Sequence, residues 1–379
     1  MITRQFSLNQ MPEYAFEQDF SLDKIVFFDI ETTGFVAEET YLYLIGCAYY
    51  ENSSFHLIQW FSEGIQEEAE LLTSFFKFIK NYDILLHYNG SGFDLPYLRR
   101  KCSLLNLNYS FDHIISIDIY KKILPYKKIF NLKSLKLKSL EIFLGIERQD
   151  VFNGGELIPI YQSYLGKKSL ESLRNLRKPR TITSSDSEAE QLLTQLLLHN
   201  EDDIRGLLLI SQILNYVDLF EKPIRILQAG IKNNVFEIII ELTAKLPVSI
   251  SFGDNLIHLT ACDNISVLKV SIYEGELKYF YENYRDYYYL PAEDYAIHKS
   301  VAAFVDKEYK VKAKPSTCYV KKPGIFVPQF STVLTPCLKT SYQDKISFLE
   351  VHTDLLLQEE NLEKYVAHIL EYLINSKKS

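Results

Sequence analysis

Asp29 and Glu31 stand two residues apart in KIVFFDIETTG, Lys24 to Gly34. Val26, Phe27, Phe28 and Ile30 around them make the apolar run of a strand buried on both faces. Side chains alternate along a strand, so the two carboxylates point to the same side. Two acids side by side on a core strand are costly unless a positive charge joins them. A divalent metal is the usual partner, and oxygen ligands favour magnesium or manganese. A strand end with two solvated acids is the plainer alternative. What weighs between them is whether other segments bring further ligands to the same place.

Two segments can. In HYNGSGFDLPYL, His87 to Leu98, Asp94 follows a short apolar strand and a glycine-containing turn and starts a helix. A carboxylate there can reach back over the end of the sheet. Asn89 is placed to hydrogen-bond a sugar or a backbone group, and Gly90 and Gly92 let the loop approach a ligand. Read more plainly, Asp94 is a helix cap beside turn glycines. In LLLHNEDDIRGLL, Leu196 to Leu208, His199 and Asp203 lie four apart and share one helix face. Asp203 can supply another metal ligand, and His199 can orient or deprotonate a water beside it. A surface ion pair is the alternative for that pair. Asp202 is the position most easily confused with Asp203, whereas Glu201 falls on another, solvated face.

The elements that position these residues begin after a polar lead-in, residues 1–22. Strands are expected at Lys24–Ile30, Tyr41–Tyr50 and Ser54–Phe61, an antiparallel meander. An apolar stripe at helical spacing marks a helix over Glu67–Lys80. A strand at Asp83–Tyr88, a helix over Asp94–Leu105 and a strand at Ile114–Ile119 follow. The order describes a mixed sheet flanked by helices. Lys121 to Lys138 holds seven lysines and no acid, either a solvated face or a contact for nucleic acid. Lys167–Arg180 is a second basic tract. Thr181–Asp186 reads as a loop with a helix cap, ahead of a helix over Gln191–Leu214.

Beyond Pro223 the pattern changes. Ile224–Leu246 is expected to be partly helical, and Pro247 to Pro336 reads as short β-segments with one helix near Glu293–Val305. Asp344–Ser376 has the pattern of an amphipathic helix. Tyr279 to Tyr289 (YFYENYRDYYY) and the lysines of Lys307–Lys322 could bind single strands, or the tyrosines could cover a small core. The expected domains are residues 1–222 and a smaller β-rich accessory domain, 223–379, ending in a C-terminal helix.

Composition sets outer bounds. The 379 residues are enough for two domains, and 47% apolar with 24% charged residues is ordinary for a folded chain. A net charge of −8 excludes a uniformly basic coat but leaves room for local basic tracts. Five widely spaced cysteines with no C-x-x-C pair suggest reduced thiols in a cytoplasmic protein. The N-terminus lacks the apolar core of a signal peptide, and no run approaches the ~20 apolar residues of a membrane span.

The three motifs, in this order and context, resemble those of the DEDD (DnaQ-like) 3′–5′ exonuclease superfamily of RNase H-like enzymes. DIETTG is similar to its first motif, YNGSGFDLPYL to its second and HNEDD to its third. NLKSLKLKSLEIFLG, Asn131 to Gly145, is similar to a lysine-rich helix that such enzymes place between the last two. GGELIPIYQSYL, Gly154 to Leu165, followed by HNEDDIRGL, resembles the YprB-type RNase H-like group. The likeness covers roughly Lys24 to Leu214. It implies an α/β RNase H-like mixed sheet of five strands, the first three antiparallel, with Asp29 and Glu31 on the central one. It also implies that Asp29, Glu31, Asp94 and Asp203 hold two Mg2+ or Mn2+ ions, with His199 as the remaining catalytic group. There is one departure. The superfamily has Tyr-x3-Asp or His-x4-Asp in its third motif, and this chain has His199-x3-Asp203.

Four carboxylates repel one another unless cations bind, and two metal ions about 3.5–4 Å apart can clamp a scissile phosphate between them. The function expected is therefore metal-dependent 3′–5′ exonucleolytic cleavage of single-stranded or frayed DNA or RNA. Thr32, Thr33 and Asn89 are candidates to hold the terminal nucleotide, and Phe93 and Tyr97 to support or stack on it. A structure-selective endonuclease on the same fold, or a silent nucleic-acid-binding module, are the alternatives. No membrane partner is expected, and no protein partner can be named.

Overall fold

A computed structural model describes residues 1–379 apart from 17–18, 151, 153, 178–186, 352–353 and 376–379. The expected loop at Thr181–Asp186 therefore lies outside the described residues, as does the end of the second basic tract. The chain divides into two compact units. One is Met1–Lys127 with Asn131–Val217, and the other is Lys128–Phe130 with Asp218–Ser379.

The first unit is built on a six-stranded mixed sheet. Its strands are β1 (Ile2–Leu8), β2 (Ile25–Thr32), β3 (Leu42–Glu51), β4 (Ser54–Phe61), β5 (Ile84–His87) and β6 (Ile115–Asp118), in the order β1-β4-β3-β2-β5-β6. β1 to β4 pair antiparallel, while β5 and β6 add in parallel. The five expected strands are all present. The sixth, β1, comes from the stretch read as a polar lead-in. Ile2, Phe6 and Leu8 fall on one alternating face, and Ile2–Leu8 pairs residue for residue with β4, from Ile2 opposite Phe61 to Leu8 opposite Phe55. Arg4, at the position between Ile2 and Phe6 on that face, broke the period.

Helices cover both faces. α1 (Glu68–Ile79) and α2 (Asp94–Leu104) bury Leu71, Leu72, Phe75, Leu95 and Leu98 against Val26, Phe28 and Ile30 of β2. After α2 come the short α3 (Ile119–Ile123) and α4 (Lys127–Phe130, whose last three residues group with the second unit), then α5 (Leu137–Leu144). On the other face α6 (Gly154–Arg177) and α7 (Glu188–Ile210) pack Leu157, Tyr161, Leu193 and Leu196 onto Tyr43, Leu44 and Phe61. Ser187 caps α7, its side chain accepting the N–H of Glu190 at 3.1 Å. β2 is thus buried on both sides, which is why its sequence is a nearly continuous apolar run.

The division after Val217 falls within α8 (Leu214–Glu221), and the second unit is mostly β. β7 (Arg225–Lys232), β8 (Val235–Gly253) and β9 (Ile257–Ser271) form an antiparallel sheet; β7 and the start of β8 stand where Ile224–Leu246 was expected to be partly helical, and β9 falls where β-segments were expected. Phe236, Ile238 and Ile240 alternate as buried residues, and a β-branched run of that period favours strand over helix. β10 (Tyr273–Phe280), β14 (Tyr319–Gln329) and β15 (Ser347–Glu350) form a second sheet, and β11 (Tyr287–Leu290), β12 (Tyr295–His298) and β13 (Val311–Lys312) a third. The expected helix near Glu293–Val305 shrinks to α9 (Lys299–Ala302). The expected C-terminal helix is divided into β15, α10 (Asp354–Leu357) and α11 (Glu359–Asn375). Tyr281, Tyr284, Tyr287 and Tyr289 pack on Ala296, Ala313 and Cys318, so these rings close a small core. All five cysteines are free. No helix among the described residues is long and apolar enough to cross a membrane.

Candidate active site

Because Val26, Phe28 and Ile30 enter the core beneath α1 and α2, Asp29 and Glu31 face α7. Asp29 Oδ2 accepts a hydrogen bond from Asn200 Nδ2 of α7 at 3.1 Å. Asn200 is fully buried, and its Oδ1 accepts from Gln59 Nε2 of β4 at 3.0 Å. The helix can come this near because Gly46, opposite Asp29 on β3, has no side chain. A Cβ there would lie 2.0 Å from Asn200 Oδ1.

Asp94 arrives from the end of the sheet. β5 pairs with β2 only from Ile25 to Phe27, so the edge of β2 beyond Phe27 is open. Asp94, the first residue of α2, fills it, its carboxylate accepting the backbone N–H of Ile30. The turn before it needs Asn89 at φ 58° and a glycine at 90, where a Cβ would meet His87 Nδ1 at 2.7 Å. Asp118, the last residue of β6, fixes this turn by accepting the N–H groups of Asn89 at 2.9 Å and Ser91 at 3.1 Å.

α7 supplies the third side. His199 is 3% exposed, and its Nε2 lies 3.5 Å from Glu31 Oε1 and 3.4 Å from Asp203 Oδ2. These three residues can each offer one atom within 4.8 Å of the others, a group that could hold a metal ion. The neighbouring Asp202 turns away and accepts the N–H groups of Gln149 at 2.8 Å and Asp150 at 2.6 Å. Glu201, expected to be solvated, pairs instead with Arg205 at 2.7 Å, one turn along the helix.

The loop that Asp202 holds brings two residues that carry no motif. α5 ends at Gly145, whose φ of 71° lets the N–H of Ile146 return to Glu141 O at 2.8 Å. Arg148 then grips both oxygens of Glu141 with Nη1, at 2.9 and 3.1 Å, and Asp203 Oδ1 with Nη2 at 2.5 Å. Glu141 reaches Arg148 across Gly206 of α7, where a Cβ would sit 2.1 Å from Glu141 Oε1. Asp150 Oδ2 lies 2.7 Å from His199 Nδ1.

The electrostatics follow from this crowding. Burial, and then the charges of Asp203 and Asp94, hold the Asp29 carboxyl well above its ordinary range. Burial also raises Glu31 well above its range, with Asp29 and Asp203 adding to it. Asp94 is pushed up to about 7, burial again leading and Asp118 and Asp203 contributing. Burial opposes the charge on Arg148, but Asp203 and Glu141 outweigh it and raise its pKa. The cluster is short of positive charge. Its donors are chiefly carboxylate oxygens, which suit magnesium and manganese, so the residues present fit divalent cations.

The remaining candidates are placed less openly. Thr32 Oγ1 donates to Gly34 O at 2.8 Å, and Thr33 Oγ1 accepts from Tyr41 N at 2.8 Å, so both hydroxyls tie down their own loop. Tyr97 is 3% exposed, with its hydroxyl 3.0 Å from Thr40 Oγ1. Phe93 packs on Tyr97 and meets Phe35 edge-on at 5.6 Å. Phe35, just beyond the first motif, is 87% exposed. Asn200, Asp118, Arg148, Asp150 and Phe35 were given no role from sequence. Asn200 lies within the third motif and Phe35 adjoins the first, and so left a signal, whereas Arg148 and Asp150 left none.

A family model described as RNase_H superfamily matches residues 26–215, about half of the chain. Among solved structures, the family B DNA polymerase of the hyperthermophilic archaeon Pyrobaculum calidifontis is 12% identical, with a TM-score of 0.32. The match covers 69% of this chain and 35% of the polymerase, so the chain spans about a third of that protein's length. No curated protein matches.

Proposed function

The chain belongs to the RNase H superfamily, and on that premise we propose that it is a metal-dependent 3′–5′ exonuclease of the DEDD type. Members of the superfamily are generally nucleases that use divalent metals. The observation that carries the finer reading is the meeting of Asp29, Glu31, Asp94 and Asp203 from a strand, a helix start and a helix face, the three raised carboxyls each feeling the charge of Asp203. The substrate is single-stranded or frayed DNA or RNA with a 3′ end.

In this reading the four carboxylates hold two Mg2+ or Mn2+ ions. Bound there, the ions supply Lewis-acid activation of water and stabilisation of the leaving oxygen. The chain's own groups do the rest. Asn200 fixes Asp29 from α7, and the N–H of Ile30 fixes Asp94. His199 Nε2, facing Glu31 and Asp203, takes the proton of the attacking water. The water oxygen bonds to phosphorus, the bond from phosphorus to O3′ breaks, and the 3′ oxygen takes a proton from solvent. Phe35 and Phe93 offer a stacking surface beside the first motif, and Asn89 a polar contact for the terminal nucleotide. Lys121, Lys122, Lys127, Lys133 and Lys136 are exposed and suit phosphate contact.

A 5′-labelled oligonucleotide tests the reading. The full chain with magnesium should give a ladder shortening from the 3′ end, abolished by Asp29→Ala. Cuts at fixed internal positions would replace it with an endonuclease, and tight binding without cleavage in either metal with a binding module. Matched DNA and RNA substrates decide between the two nucleic acids.

A further inference from the structure

His199 is held from behind. Its Nδ1 lies 2.7 Å from Asp150 Oδ2, and both residues are more than nine-tenths buried. Asp150 is itself fixed: its Oδ1 accepts the N–H of Phe152 at 3.0 Å, and its own N–H goes to Asp202 Oδ2 at 2.6 Å. Arg148 Nη2 at 3.7 Å and Lys138 Nζ at 3.8 Å add positive charge beside it. A carboxylate so surrounded accepts hydrogen bonds, so the imidazole nitrogen against it carries the hydrogen. That leaves the lone pair on Nε2, the nitrogen aimed at Glu31 and Asp203.

We propose that Asp150 is the positioning residue of the site: it locks His199 in the Nδ1–H tautomer and steadies the imidazolium formed when Nε2 takes a proton. The role rests on the nuclease reading for its kinetic consequence but not for its structural one. It also gives the His-x3-Asp spacing a physical basis. One helical turn puts Nε2 and Asp203 on the same face. The ring angle is then set by the loop after α5 rather than by the helix alone. In a site where its Nε2 faces carboxylates, a histidine with an unrestrained ring could offer either nitrogen, and only one of the two arrangements can accept a proton from water.

The test uses Asp150→Asn, which keeps the side-chain shape and removes the charge. The full chain in magnesium should lose about 100-fold in kcat, within the range a general base contributes. KM for the oligonucleotide and the magnesium-induced rise in Tm should stay near wild type. A merely structural role would leave kcat unchanged, because the isosteric amide still fills the site. Nitrogen-15 NMR of histidine-labelled protein with magnesium alone, the His199 signal assigned by its loss in His199→Gln, gives a readout without turnover. Wild type should show a protonated Nδ1 and a bare Nε2, and Asp150→Asn should lose that single pattern. A protonated Nε2 with bare Nδ1 in wild type, or a kcat for Asp150→Asn within threefold of wild type, overturns the assignment. Absence of cleavage by the wild type would sink the nuclease reading, while the NMR pattern still decides the role of Asp150.

Discussion

Stripped of metal, the protein should become less stable as the pH rises from about 4 toward 7, and Asp94→Asn should remove much of that slope. The Asp94 carboxyl stands at about 7 against an ordinary value of 3.8. The folded state therefore holds its proton more tightly than the unfolded chain. Stability from this group is complete below the unfolded value and is lost as the pH climbs through the folded one. A rise of about 3 units, at about 1.36 kcal/mol each, makes the loss about 4 kcal/mol above neutral pH. In a unit of this size that is a fall of about 8–16 °C in Tm. Asp29 and Glu31 are shifted in the same direction and steepen the slope. Differential scanning fluorimetry in chelator between about pH 5 and pH 8 reads it directly. Asp94→Asn should match wild type at the acid end and exceed it at the alkaline end. Excess magnesium or manganese should flatten the wild-type curve and leave the variant's nearly unchanged. Parallel wild-type and variant curves in chelator, or a wild type insensitive to either metal, would refute the crowding of charge on which the site depends.

Other outcomes follow from the same contacts. Arg148→Met strands Glu141, which is 1% exposed, and should cost about 3–5 kcal/mol in urea unfolding; adding Glu141→Gln should recover a good part of it. Gly46→Ala forces Asn200 off Asp29 and should cut cleavage strongly, with a stability loss of about 1–3 kcal/mol; unchanged turnover would mean that Asn200 does not hold Asp29. His199→Ala should slow cleavage by about 100-fold or more while the magnesium-induced rise in Tm persists, and an unchanged rate would remove His199 from the proton transfer. Phe35→Ala should weaken single-strand binding by about 1–3 kcal/mol without loss of stability, measured by fluorescence anisotropy in metal-free buffer.

The chain sequence by itself determined the local geometry of the site. A strand puts Asp29 and Glu31 on one side, and a helix puts His199 and Asp203 on one face, because each period is fixed by backbone geometry alone. The three motifs and the alternation of strands and helices were legible for the same reason. Only the tertiary structure showed where the neighbouring Asp202 goes, since that depends on the loop at Gln149 and Asp150 whose N–H groups it accepts. It also brought Arg148 and Asp150 to the site. Their partners lie 55 and 49 residues away, beyond any periodic pattern, and are set by where α5 ends and how closely Gly206 lets it approach α7. The sixth strand and the strand pairing within Ile224–Leu246 were missed because their apolar residues gain meaning only from the strands they pair with. The first motif was readable as two carboxylates on one side of a strand; the carboxylate that meets His199 was decided by folding.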